Sequence, residues 1–91
     1  MAIKVRIPAG MRMLTGNRAE VEAGGSSVME LIKNLEKAFP GLQARLLDDQ
    51  GRKRKFVNIY VNSEDTRFLQ QESTALKERD EVDIVAAVAG G

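Results

Sequence analysis

The chemistry open to this chain is bounded first by two absences. Its 91 residues include no Cys and no His. Thiol nucleophiles, imidazole general bases, disulfides and Cys/His zinc sites are therefore excluded. What remains is carboxylates, amines, guanidiniums and the terminal carboxylate of the chain itself. That last group stands out because of what precedes it. The sequence ends Val85-Ala86-Ala87-Val88-Ala89-Gly90-Gly91, a strand-like run that gives way to small residues. Such a tail is slim enough to thread a narrow channel, and Gly90 and Gly91 let the backbone pass closely. A carboxylate becomes an electrophile once it is converted to an acyl-adenylate. The chemistry would then take place inside a partner, and this chain would supply steric access. A terminal Gly-Gly also fits a plain frayed end, so the body of the chain must decide.

Two other clusters invite a chemical reading. The run Arg52-Lys53-Arg54-Lys55 is basic enough to meet an acidic partner or a nucleic-acid backbone. Single-stranded nucleic acid also wants aromatic stacking platforms, and nearby there are only Phe56 and Tyr60, of which Phe56 is expected to pack against the fold. With a formal net charge of +1, the run reads as a solvated loop that at most helps docking. Glu64, Asp65, Asp80, Glu81 and Asp83 show no calcium-loop spacing, and a chain this short has no deep catalytic cleft. They read as turn and edge residues. No metal site, cofactor or catalytic residue of the chain's own is expected.

The elements that must position the tail follow from pattern. Hydrophobic residues make up 43% and charged residues 30% of the chain, a balance suited to one globular domain. Ile3, Val5 and Ile7 alternate with Lys4 and Arg6 as a half-buried strand ended by Pro8. Ala9 to Asn17 reads as a loop whose Met11, Met13 and Leu14 close the end of the core. Arg18 to Ala23 alternates again, completing a hairpin with Ala19, Val21 and Ala23 on one face. Ser27 and Glu30 form a capping box. Val28, Leu31, Ile32, Leu35 and Phe39 follow at helical spacing, until Pro40-Gly41 stops the helix. Leu42, Leu46 and Leu47 suit a short helical turn capping the core. Phe56 to Val61 is the strongest strand signal, with Val57, Ile59 and Val61 on one face. Asn62 to Asp65 is a turn, Thr66 to Leu69 a short edge strand, and Gln70 to Thr74 a loop; Leu76 plugs the core. Glu81 to Val85 is the last strand, with Val82 and Ile84 inward. The expected class is α+β, a β-grasp (ubiquitin-like) domain over residues 1–85: a mixed four- to five-stranded sheet with one main helix packed across one face. Residues 86–91 are expected to form a flexible tail. The N-terminus is no signal segment and no run is long enough for a membrane span, so the cytoplasm is the expected compartment; a monomer is expected when free, because the tail must be available.

With that layout in place, the chain resembles the ubiquitin-like sulfur carriers of the MoaD/ThiS family, and within it the CysO type. The resemblance rests on Phe56-Val57-Asn58-Ile59-Tyr60-Val61-Asn62, Glu64-Asp65, Arg67-Phe68 and the ending Ala87-Val88-Ala89-Gly90-Gly91. Members often carry Gly-Asp before the last strand and Pro after it; here those places hold Arg79-Asp80 and Ala86. The resemblance implies that Gly91 is adenylated by a ubiquitin-activating-like enzyme using ATP, and then converted to a thiocarboxylate. Gly90, Ala89, Val88, Ala87 and Ala86 would give the tail its access, and Tyr60, Phe68 and Arg67 are candidates for partner docking. For the CysO type it implies a pyridoxal-phosphate cysteine synthase as sulfur acceptor and a metalloprotease that releases the new cysteine. Molybdopterin, thiamin or tRNA thiolation remain alternative destinations. A ubiquitin-like modifier that joins Gly91 to target lysines is a different class again. Neither membrane nor nucleic acid is an expected partner.

Overall fold

The computed structural model describes residues 2–86, with Phe68 described by its backbone alone. Five strands form one mixed sheet in the order β2-β1-β5-β3-β4. β1 (Ile3–Arg6) and β2 (Glu20–Ala23) make the expected antiparallel hairpin, with Val5 opposite Val21. β5 (Glu81–Ala86) takes the centre, parallel to β1 and antiparallel to β3 (Val57–Val61). The short β4 (Glu64–Asp65) closes the far edge.

One face of this sheet is the core. Ile3, Val5, Val57, Ile59, Val82 and Ile84 each expose 4% or less of their surface, as alternation demands of a sheet covered on one side. The cover is α1 (Val28–Ala38), which sends Val28, Leu31, Ile32 and Leu35 into the same cluster. Its start is fixed as the sequence indicates. The Ser27 hydroxyl accepts the Glu30 N–H at 3.2 Å. The Glu30 carboxylate reaches back to the Ser26 N–H at 3.0 Å, one residue earlier than in the usual reciprocal box. Phe39 is only half-buried, at the C-cap. α2 (Leu42–Leu46) is the short turn that seals the core end, and Glu36 caps it by accepting the N–H groups of Gly41 and Gln43. Leu76 plugs the core at 5% exposure.

Five local expectations are corrected. Ala9–Thr15 is a 3-10 helix rather than a loop. It opens when the Pro8 carbonyl accepts the Met11 N–H at 2.9 Å, and it ends at left-handed Gly16 (φ 64°). Met11 is buried within it, but Met13 is 68% exposed and closes nothing. Ala19, given a place on the inner face of β2, precedes the strand and is exposed. The edge strand lies at Glu64–Asp65, not Thr66 to Leu69, because Asn62 and Ser63 both take positive φ (51° and 72°). A two-residue turn of that kind returns the chain at once. Asp65 then accepts the Arg67 N–H at 2.8 Å and starts a 3-10 turn over Thr66–Phe68. Finally, β5 runs one residue further than expected. Ala86, read as tail, is its last residue and pairs with Val57, because β3 extends far enough to hold it. Ala87 to Gly91 lie outside the described residues.

Candidate functional site

The region that matters is the C-terminal end of β5, since any tail must depart from there. β5 lies between two strands, paired with β1 as far as Asp83 and with β3 on to Ala86, so its exit point is held by β3. On the core side the strand is anchored by Val82 and Ile84, at 1% and 4% exposure. On the outer side, away from α1, alternation places Glu81, Asp83 and Val85, and Val85 is 45% exposed. Phe56, Asn58 and Tyr60 share that outer parity on the neighbouring β3 segment. Phe56 is 44% exposed, which corrects the expectation that it packs against the fold.

Cross-strand register lines up a charged row on this outer face. Glu20 stands opposite Arg6, Arg6 beside Asp83, Asp83 opposite Tyr60, and Tyr60 opposite Asp65. Arg6 is the hub, with carboxylate oxygens of Asp83, Glu81 and Glu20 at 3.4, 3.7 and 3.8 Å. These are exposed pairs. Each contributes about 1 kcal/mol or less to stability, so they set the charge pattern of the face more than they hold the fold.

A groove of about 580 Å³ follows this face. Arg6, Tyr60, Ser63 and Asp83 line one part of it, and Pro8, Arg12, Val85 and Ala86 line the part at the end of β5. The Arg12 side chain is positioned by its own backbone context. Its Nε donates to the Ile7 carbonyl at 3.0 Å, so the guanidinium is tied across the end of β1. This residue was missed because Ala9 to Asn17 read as loop.

The expected docking residues are partly assembled. Tyr60 stands opposite Asp65 across the β3–β4 pair, and Asp65 accepts two hydrogen bonds from the Arg67 guanidinium at 2.9 and 3.1 Å. That guanidinium, together with the Arg67 backbone N–H, holds the Asp65 carboxyl below the usual carboxylate range, while the pairing raises Arg67. Of Phe68 only the position at the end of the 3-10 turn is described. Val85 and Phe56 are additional exposed apolar groups. Strand parity was the signal that could have found them: Val82 and Ile84 inward require Val85 outward.

The basic run is more structural than a solvated loop. Lys53 Nζ donates to the carbonyls of Val57 (2.6 Å) and Arg54 (3.4 Å), and Arg54 Nε donates to Ala44 at 2.9 Å. Two of its four cations therefore tie the segment to α2 and to β3, leaving Arg52 and Lys55 exposed. The acidic residues serve turns as well. Asp48 accepts the N–H groups of Arg52 and Gln50, and the bond from Arg52 is the main cause of its lowered pKa. Asp80, 8% exposed, accepts from Asn62 Nδ2 at 3.0 Å and from the Lys77 N–H at 2.7 Å. Burial alone would raise the Asp80 carboxyl; these two hydrogen bonds outweigh it and hold the group low. Among the described residues, no group of acidic side chains is arranged to hold a metal ion, and no helix is long and apolar enough to cross a membrane.

Comparison with known proteins adds to this geometry. Residues 5–91 match the ThiS family. The sulfur carrier protein CysO of Mycobacterium tuberculosis is 42% identical over 93 residues, with all of both chains covered. The CysO chain in the Amycolatopsis orientalis BexX/CysO complex superposes with a TM-score of 0.92 at 40% identity, covering 99% of this chain and 100% of that one. Small archaeal modifier protein 3 of Haloferax volcanii is 30% identical over 94 residues, again over the full length of both.

Proposed function

The chain belongs to the ThiS family of ubiquitin-like sulfur carriers, and from that premise we propose that it delivers sulfur from Gly91 for cysteine biosynthesis. The terminal carboxylate attacks the α-phosphorus of ATP in an activating enzyme, giving an acyl-adenylate and releasing pyrophosphate. A sulfide donor then displaces AMP and leaves a thiocarboxylate. In a pyridoxal-phosphate cysteine synthase the thiocarboxylate sulfur would bond to the carbon skeleton of the new amino acid, an S-to-N acyl shift would leave the cysteine amide-bound to Gly91 with its thiol free, and a metalloprotease would hydrolyse that amide and restore the Gly91 carboxylate. The chain itself catalyses none of these steps. Its domain is a handle, and Ala87, Val88, Ala89 and Gly90 are the slim lead into the enzyme channel. Tyr60 and Arg67 belong to the face that docks, with Phe68 beside them in sequence. The cytoplasm, where ATP is plentiful, is the compartment this chemistry suits.

The observation that best supports this reading is the place of β5. The strand that precedes the tail is central, paired with β1 as far as Asp83 and with β3 through Ala86, with five residues between it and the terminal carboxylate. The test is intact-mass analysis of the chain after incubation with its activating enzyme, ATP and a sulfide source. The expected product has gained one oxygen-to-sulfur exchange, and removal of Gly91 abolishes it. An unchanged mass in the wild-type chain, or sulfur gain without Gly91, refutes the proposal. Sulfur delivered to a molybdopterin, thiazole or tRNA enzyme but not to a cysteine synthase would correct the destination alone. The full-length similarity to an archaeal modifier protein favours one second reading, conjugation of Gly91 to lysines. Higher-mass adducts in cell extracts, dependent on Gly91, would identify it.

A further inference from the structure

We infer that Arg12 is a specificity residue that reads an acidic side chain on the rim of the enzyme channel into which the tail is threaded. The inference rests on the reading of Gly91 as the activated residue. It begins with reach. The five residues after Ala86 span at most about 18 Å when fully extended. An enzyme that acts on Gly91 cannot stand off from the domain over so short a tether, and must cover the surface around the end of β5. That surface is the end of the groove built by Pro8, Arg12, Val85 and Ala86.

Within it Arg12 is the group prepared for a partner. Its side chain is partly buried, and its Nε is fixed on the Ile7 carbonyl at 3.0 Å. Its two terminal nitrogens have no acceptor and no carboxylate partner among the described residues. Arg6, the other cation of the groove, is already satisfied by Asp83, Glu81 and Glu20. An anchored guanidinium with its outer edge unpaired presents a fixed fork, which suits bidentate capture of a carboxylate. Next to it, exposed Val85 offers an apolar ledge. The matching rim therefore carries Asp or Glu beside an apolar residue. Because the guanidinium is held by main chain and not by a neighbouring acid, the partner need not break an existing ion pair to bind it.

The experiment is ATP–pyrophosphate exchange with the chain's activating enzyme, measured against carrier concentration at low and high salt. The full chain is compared with Arg12→Glu, Arg12→Lys and Arg45→Glu. Arg45 is exposed on α2, on the core-covering side of the sheet, and gives the same charge change away from the groove. Arg12→Glu is expected to raise KM about tenfold or more with kcat within twofold, as loss of one side of an interfacial charge pair does. Arg12→Lys keeps the charge without the fork and falls between. Arg45→Glu stays at the wild-type value, and high salt narrows the gap between wild type and Arg12→Glu. Thermal melting of each variant checks folding; if Arg12→Glu does not fold, Arg12→Met, which keeps the apolar stem, takes its place. A KM for Arg12→Glu within twofold of wild type overturns the inference. So does an equal loss in Arg45→Glu, which would indicate unspecific steering, or a fall in kcat at constant KM, which would place Arg12 on the tail instead of the rim. All three outcomes leave the Gly91 reading intact if deletion of Gly91 still abolishes exchange. Exchange that persists without Gly91 refutes that reading and this inference together.

Discussion

Asp80 is the residue on which the geometry of the exit strand most directly depends. Its carboxylate binds the Lys77 N–H at 2.7 Å and Asn62 Nδ2 at 3.0 Å. Asn62 in turn accepts the Glu81 N–H at 2.9 Å, so one side chain pins both the β3–β4 turn and the first residue of β5. Asp80→Ala removes two hydrogen bonds to a charged acceptor and leaves the Lys77 N–H without a partner. At about 1.5–3 kcal/mol for a bond to a charged group, discounted because the two are coupled, the expected loss is about 3 kcal/mol. With a urea slope of about 1–1.5 kcal/mol/M for a domain this size, the midpoint falls by roughly 2–3 M. Asp80→Asn keeps the shape but turns an N–H toward one of the two donors, so about half that loss is expected. The acid dependence has a definite sign. The folded pKa of Asp80 lies below its ordinary value of 3.8. Its contribution is therefore complete above that value and is lost as pH falls through the lower folded value. Urea unfolding followed by far-UV circular dichroism should show a constant gap between wild type and Asp80→Asn from pH 7 to about 5, narrowing below about 4. A loss under about 0.5 kcal/mol at pH 7, or a gap that does not narrow at pH 3, would refute the latch.

Three further outcomes are expected. A Cβ on Gly25 would lie 2.7 Å from the Leu31 backbone N and 2.9 Å from its Cα, and a helix backbone cannot yield locally; Gly25→Ala should cost about 2–3 kcal/mol in thermal or urea melts. Ser27→Ala deletes the cap on the Glu30 N–H and should cost about 1 kcal/mol, whereas Ser27→Gly should cost only a few tenths, a difference that urea midpoints resolve. Arg79 holds φ at 73°, a conformation that strains a side-chain-bearing residue by about 1 kcal/mol; Arg79→Gly should raise the unfolding free energy measured in urea by about 0.5 kcal/mol once the looser unfolded chain is counted, and a fall would contradict the strain argument.

Some of this was open to inspection in the one-dimensional chain, and the reason is local periodicity. Alternation at Ile3-Val5, Val57-Ile59-Val61 and Val82-Ile84 states which side of each strand is buried, because a pleated strand has no other way to share its faces. The spacing of Val28, Leu31, Ile32 and Leu35 and the Ser27/Glu30 cap likewise define one helix and its start. The 3-10 helix at Ala9–Thr15 escaped because it has neither period, and the edge strand was displaced by two residues because two positive φ values at Asn62 and Ser63 shortened the turn. The basic run showed its charge but not that Lys53 and Arg54 spend theirs on main-chain carbonyls 4 and 10 residues away.

By itself the sequence determined the β-grasp layout, the slim Gly-Gly ending and the absence of any nucleophile or metal ligand of the Cys or His type. Only the tertiary structure decided that β5 sits between β1 and β3 and carries Ala86 to the limit of the described strand. It also decided that Arg6, Asp83, Tyr60 and Asp65 form one row, and that Arg12 reaches the groove beside the exit. The physical reason is that facing is encoded within a few residues, whereas lateral neighbours come from segments tens of residues apart. Those pairings are fixed by burial of the whole core at once, and no window of the chain contains them.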